Sequence, residues 1–153
     1  MMQSLQERYA PNNECFGCGP KNTKGLRIRS FVEGGEVVAR WRPEDHHKAY
    51  QGMLNGGICG ALLDCHGNWA AAYTLMERGD LAEPPCTVTA KFTVKLRRPT
   101  PMDQELTIRA HATEVLDDRV TVEATIEAEG VVTASCSGLF VAVREGHPAY
   151  HRW

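Results

Sequence analysis

The sequence predicts an α+β fold in which one long central helix is wrapped by a curved antiparallel sheet, in the order β-β-α-β-β-β-β. Three observations carry this. One stripe of apolar residues at helical spacing occupies the middle of the chain, four β-rich runs follow it with no second helix among them, and two alternating segments precede it. Short connections can build a single helix packed on a curved sheet from that order, whereas an αβ-plait needs a second helix.

Residues 1–24 are polar and turn-rich, with Pro11, Asn12, Asn13, Gly17, Gly19 and Pro20, and are expected to form an irregular arm on the surface. The first strand is Leu26 to Val32, where apolar and polar residues alternate. Gly34-Gly35 supplies a tight turn, and Glu36 to Arg42 pairs back. Residues 43–54 read as a loop. From Ile58 to Met76 apolar residues recur at 58, 61, 62, 65, 69, 72, 73 and 76, with Gly79 as the stop signal. About 20 helical residues span roughly 30 Å, the breadth of a small sheet. Residues 86–98, 104–116, 119–129 and 131–143 are the four later strands, punctuated by Pro99-Thr100-Pro101, Asp117-Asp118 and Glu129-Gly130. The expected division is an arm over 1–24, one domain over 25–145 and a tail over 146–153 too short to be other than surface or interface.

A chain of 153 residues, 42% hydrophobic and 24% charged, has the composition of one soluble globular domain with its own core. A formal net charge of −2 offers no electrostatic case for a nucleic-acid partner. The opening residues hold no apolar stretch of signal-peptide type and no run reaches membrane-spanning length, so a cytoplasmic protein with no membrane partner is expected. In that compartment the six cysteines are reduced thiols.

The chemistry concentrates where the helix begins. Asn55-Gly56-Gly57 opens it, and Asp64 follows among Leu62, Leu63 and Cys65. A helix N-terminus offers unpaired N–H groups and partial positive charge, and two glycines keep no side chain between those amides and a ligand oxygen. That suits polarisation of a carbonyl. A carboxylate among apolar neighbours is exposed, paired or catalytic, and the spacing favours an acid/base or nucleophile. Asp64 has a structural alternative in pairing with an arginine or capping a loop. Asn55 is itself a favoured N-cap and does not titrate near neutrality, so proton handling falls to Asp64. His66 lies roughly 200° around the helix from Asp64, which makes it a polar-face or interface group rather than a catalytic partner.

From Thr87 to Arg97 the chain alternates strictly. Val88, Ala90, Phe92, Val94 and Leu96 share one face, and Thr89, Lys91, Lys95 and Arg97 the other. Arg97 and Arg98 form a basic cluster suited to phosphate, the alternative being a solvated strand face. Cys15-Phe16-Gly17-Cys18 is half of a zinc knuckle, but there is no second such pair. Further ligands would have to come from scattered residues such as His46, His47, Cys59 or Cys136. No metal or other cofactor is therefore expected.

The segment His47-Lys-Ala-Tyr-Gln-Gly52-Met-Leu-Asn55-Gly56-Gly57, with Leu62-Leu63-Asp64 behind it, resembles the signature of the hotdog-fold acyl-CoA thioesterases, of the phenylacetate-pathway and 4-hydroxybenzoyl-CoA type. The stretches Cys15 to Pro20, Lys24 to Ile28, Thr87 to Phe92 and Arg97 to Pro99 resemble relatives too. Two positions depart from the family: Asn55 stands for its His and Gln51 for its Pro. The resemblance implies a hotdog fold and hydrolysis of an acyl-CoA, with Asp64, Asn55, Gly56 and Gly57 catalytic. It also places His47, Thr89, Arg97 and Arg98 around the substrate. Thr89 can turn inward only if its strand is bulged. The Asn55 departure also admits a non-catalytic acyl-CoA-binding protein.

Geometry adds a requirement. Gly56 and Asp64 are separated by about 12 Å along a helix, too far to meet at one thioester carbon. A homodimer, or a tetramer built from two such dimers, is expected to bring the glycines of one helix to the acid of another.

Overall fold

A computed structural model describes residues 2–153. In chain order it contains α1 (Leu5–Tyr9), β1 (Ser30–Glu33), β2 (Glu36–Trp41), a 3₁₀ turn (Asp45–His47), β3 (Lys48–Tyr50), β4 (Met53–Leu54), α2 (Gly56–Arg78), β5 (Thr87–Leu96), β6 (Leu106–Leu116), β7 (Arg119–Ala128) and β8 (Val131–Ala142). Six strands form one sheet in the order β1-β2-β6-β7-β8-β5, every pairing antiparallel. The long helix and the four strands after it fall where alternation and helical spacing put them.

The 23 residues of α2, about 34 Å at 1.5 Å per residue, lie across β5 to β8. Leu62, Leu63, His66, Trp69 and Ala70 point into the sheet, where they meet Ile108, Val120, Val122, Ile126 and Phe140 in one core. Gly67 is needed for that approach, since a Cβ there would sit 3.0 Å from the Phe140 ring. The buried face is offset from the apolar stripe, and Ile58, Ala61, Cys65 and Tyr73 are only half-buried.

From residue 66 to 72 the helix is buried all round, because both chain ends fold over it. The arm, expected to be irregular, begins with the single turn α1. Ser4 and Glu7 close it as a capping box: Ser4 Oγ accepts from Glu7 N at 3.1 Å, and Glu7 Oε2 accepts from Ser4 N at 2.9 Å. Leu5, Gln6, Ala10 and Cys18 of this arm are buried. The tail, expected at the surface or an interface, packs on the core: the Trp153 indole stacks on Trp69 with centroids 4.6 Å apart and donates to the Pro84 carbonyl.

Two strands differ from expectation at their ends. Residues 26–28 pair with the arm instead of β2, through Leu26 N to Phe16 O and Ile28 N to Gly17 O, and Arg27 at φ 56° breaks the extended run. The expected loop 43–54 contains the small β3-β4 hairpin turning at Gly52, φ 79°.

Candidate active site

The hairpin delivers Asn55 to the start of α2. Leu54 N donates to Thr100 O at 2.8 Å and Asn55 N to His47 O at 2.9 Å, so the entry is fixed from both sides. The Asn55 side chain then caps the helix, its Oδ1 accepting from Ile58 N at 3.1 Å. With Ile58 capped, the amides of Gly56 and Gly57 head the helix without partners inside it. Side chains crowd both positions: a Cβ on Gly56 would lie 2.9 Å from the Leu96 methyl and one on Gly57 3.0 Å from Asn55 Oδ1, so either substitution would shift a neighbour.

In front of these amides lies a groove of about 380 Å³ lined by Tyr50, Leu54, Gly56, Leu96, Arg97 and Arg98. Both arginines are exposed, and Arg97 Nε donates to Ser135 Oγ at 3.0 Å. Positive side chains and helix-terminal amides thus share one concavity, an arrangement suited to anionic oxygen. His47 is not among the groove's lining. Its buried ring packs on Trp41, its Nδ1 accepts from Glu44 N at 2.9 Å, and burial pushes its pKa down. Within one chain, what His47 gives this end of the helix is the carbonyl that holds Asn55.

Two turns along the helix, Asp64 is half-buried and accepts a 2.6 Å hydrogen bond on Oδ1 from Thr89 Oγ1. The required bulge is present. Thr89 pairs with Phe140 and Lys91 with Leu139, leaving Ala90 as the extra residue that turns Thr89 toward the helix. Burial pushes the Asp64 carboxyl above its ordinary range, against the lowering pull of the Thr89 hydroxyl and of the positive charge on Arg152. A carboxylate raised in this way is the better proton acceptor.

His66, expected on a polar face or at an interface, is instead fully buried within the chain. Its Nε2 faces the Val37 carbonyl at 2.8 Å, so Nε2 carries the proton and Nδ1 accepts from Ser30 Oγ at 2.8 Å. Gln6 closes this network, donating to Ser30 Oγ and accepting from Ser30 N. His66 therefore ties α2 to the arm and to β1 and β2, and takes no part in the groove.

One chain brings Gly56, Gly57, Arg97 and Arg98 together at one end of α2 and Asp64 with Thr89 further along. The rim between them is open. β5 is an edge strand, and Phe92 and Leu96, expected on its buried face, are 42% and 57% exposed beside Gly60 and Gly56.

Residues 51–135 match the Thioesterase superfamily. The chain belongs to that superfamily. Among solved structures, a thioesterase superfamily protein from Shewanella loihica is 29% identical, with a TM-score of 0.64 over 76% of this chain and 91% of its own. A phenylacetic acid degradation-related protein from Ralstonia eutropha is 17% identical, with a TM-score of 0.64 over 76% of this chain and 86% of its own. A thioesterase from Thermus thermophilus, solved with coenzyme A and Zn, is 18% identical, with a TM-score of 0.57 over 74% and 83%. No curated protein matches the chain. This member of the superfamily has the hotdog architecture, and among the described residues no helix is long and apolar enough to cross a membrane.

Proposed function

We propose that this superfamily member hydrolyses an acyl-CoA thioester to the free acid and CoA, at two composite sites of a homodimer or of a tetramer made from such dimers. The observation that carries the reading is the half-buried Asp64 carboxylate, oriented by Thr89 on a helix whose glycine end is open to a ligand. Asp64 of one subunit takes a proton from water as the water oxygen bonds to the thioester carbon. The carbonyl electron pair moves to oxygen, which accepts from the Gly56 and Gly57 amides of the other subunit. Collapse breaks the C–S bond, and protonated Asp64 returns its proton to the CoA sulfur. Arg97 and Arg98 hold the CoA phosphates at the groove.

Direct attack by Asp64 gives a mixed anhydride that water then opens. Label found in Asp64 after a single turnover in water labelled with heavy oxygen would establish the anhydride route with opening at the aspartyl carbonyl, since neither general-base attack nor opening at the acyl carbonyl leaves label there. The exposed apolar edge at Phe92 and Leu96 supports the dimer, because burying it against a second copy covers the rim and closes the site from water. Six free thiols accord with a cytoplasmic protein.

The experiment is turnover of an acyl-CoA panel by the wild type and by Asp64→Asn, a nearly isosteric change that removes the charge. Loss of about 10²- to 10⁴-fold in kcat is expected for a general base. Retention of more than about a third of kcat would exclude Asp64 as the catalytic carboxylate. Asn55, in the place where relatives carry a His, favours one second reading, an acyl-CoA-binding protein without turnover. Stoichiometric binding with no hydrolysis across the panel would establish it.

A further inference from the structure

Next to the catalytic candidate along α2, the arm brings Cys15 and Cys18 onto Cys65. The three sulfurs lie within 4.8 Å of one another, and Cys15 Sγ stands 3.8 Å from Cys65 Sγ. Two sulfurs bound to one tetrahedral zinc, each at about 2.3 Å, are themselves about 3.8 Å apart. The remaining cysteines, Cys59, Cys86 and Cys136, join no such cluster among the described residues.

The Cys15-to-Cys18 turn is closed by Gly19 N, which donates to the Cys15 carbonyl at 2.8 Å. The fully buried Trp69 indole Nε1 lies beside Cys18 and has no hydrogen-bond partner of ordinary geometry. An orphaned buried N–H costs free energy unless something takes it up, and a metal-bound thiolate is a strong acceptor where a neutral thiol is a weak one. Gly17 makes the approach possible, because a Cβ there would lie 2.3 Å from Cys65 Sγ. The Arg29 cation is close enough to Cys18 to feel its charge, and helps balance three thiolates around a divalent ion.

We propose that Cys15, Cys18 and Cys65 form a three-thiolate site for a soft divalent cation of the zinc type, which fastens the N-terminal arm to α2 at the residue next to Asp64. The fourth coordination position of a tetrahedral ion is left to a solvent molecule. The Cys-x-x-Cys pair is thereby completed from a residue 47 positions beyond Cys18, supplied by the helix that carries the acid. The inference is independent of the hydrolytic reading.

Cobalt titration of the full chain tests it, with the protein stripped by chelator, kept anaerobic and reduced with a thiol-free reductant. A thiolate-to-cobalt charge-transfer band saturating at about one ion per chain is expected, together with its loss on adding zinc and a rise in Tm with zinc. Cys15→Ser and Cys18→Ser should each weaken cobalt binding by about tenfold or more, while Cys86→Ser leaves it unchanged. Far-UV circular dichroism establishes that each variant is folded; should the serine variants unfold, the wild-type titration alone decides. The proposal is overturned if the reduced wild type shows no charge-transfer band at one equivalent, or if Cys86→Ser weakens binding as much as Cys15→Ser. It is equally overturned if two of the three sulfurs are disulfide-bonded in protein purified anaerobically without reductant.

Discussion

Thr89 reaches Asp64 only because β5 carries an extra residue. The 2.6 Å bond from its hydroxyl to Asp64 Oδ1 depends on the bulge at Ala90, and it fixes the carboxylate while lowering a pKa that burial raises. A hydrogen bond to a charged group contributes about 1.5–3 kcal/mol, or about ten- to a hundredfold in a rate that depends on it. Thr89→Val should therefore lower kcat by that range with KM little changed, and should move the acid limb of the kcat profile to higher pH. Thr89→Ser should restore both. Equal loss in the valine and serine variants would place Thr89 in packing alone.

The groove at the helix start makes a different prediction. Arg97 and Arg98 flank it with exposed charge, and exposed ion contacts are screened by salt. The double variant Arg97→Ala/Arg98→Ala should raise KM for an acyl-CoA by about tenfold, or roughly 1.4 kcal/mol, with little effect on the same acyl group carried by a short thiol. The difference should shrink as ionic strength rises. Equal loss on both thioesters would give these arginines a structural role.

His66 makes a prediction about stability. Burial lowers its pKa from 6.5 to about 4, so the folded protein holds it neutral. Between those values the unfolded chain binds a proton that the folded chain does not. The contribution is thus present above about pH 6.5 and is lost as pH falls toward the folded value. Unfolding free energy should be about 2 kcal/mol lower at about pH 5 than at about pH 8, and His47, also lowered by burial, adds in the same direction. Asp64, raised by burial, opposes them at the acid end. Denaturant melts across this range measure the slope. His66→Gln, which cannot titrate, should flatten it, and an unchanged slope in that variant would contradict the assignment.

The fold and the capped start of α2 were legible in the sequence because they rest on local rules. Alternation marks the strands, a 3.6-residue period marks α2, and Asn55 before two glycines marks a capped helix start. What escaped rests on contacts between distant segments. Cys65 sits in an apolar helical run and resembles a core residue until the arm lays Cys15 and Cys18 on it. His66 reads as a surface residue because nothing local reveals Gln6 and Ser30 closing over it. Trp153 resembles a loose tail residue until Trp69 receives it. One miss was local: Ser4 and Glu7 have capping-box spacing, and α1 was there to be read.

The distance along α2 sets the last prediction. Gly56 and Asp64 are eight residues apart on one helix, about 12 Å, and one thioester carbon cannot sit against both. The open rim at Phe92 and Leu96 lies between them, where a second copy would place its own helix. Two antiparallel helices about a two-fold axis bring each glycine end to the other chain's acid, and a symmetric interface does so twice. Asp64→Asn chains and chains blocked by Gly56→Leu should each be inactive as homodimers, the latter because the new side chain would stand in the groove that Gly56 lines. Mixed after subunit exchange, they should recover activity, since each heterodimer pairs one intact glycine end with one intact acid. With random pairing about half the dimers are mixed and each carries one of two sites, so recovery of roughly a quarter of wild-type activity is expected. Proven exchange with no recovery, or a fully active wild-type monomer, would show that the site is built within one chain.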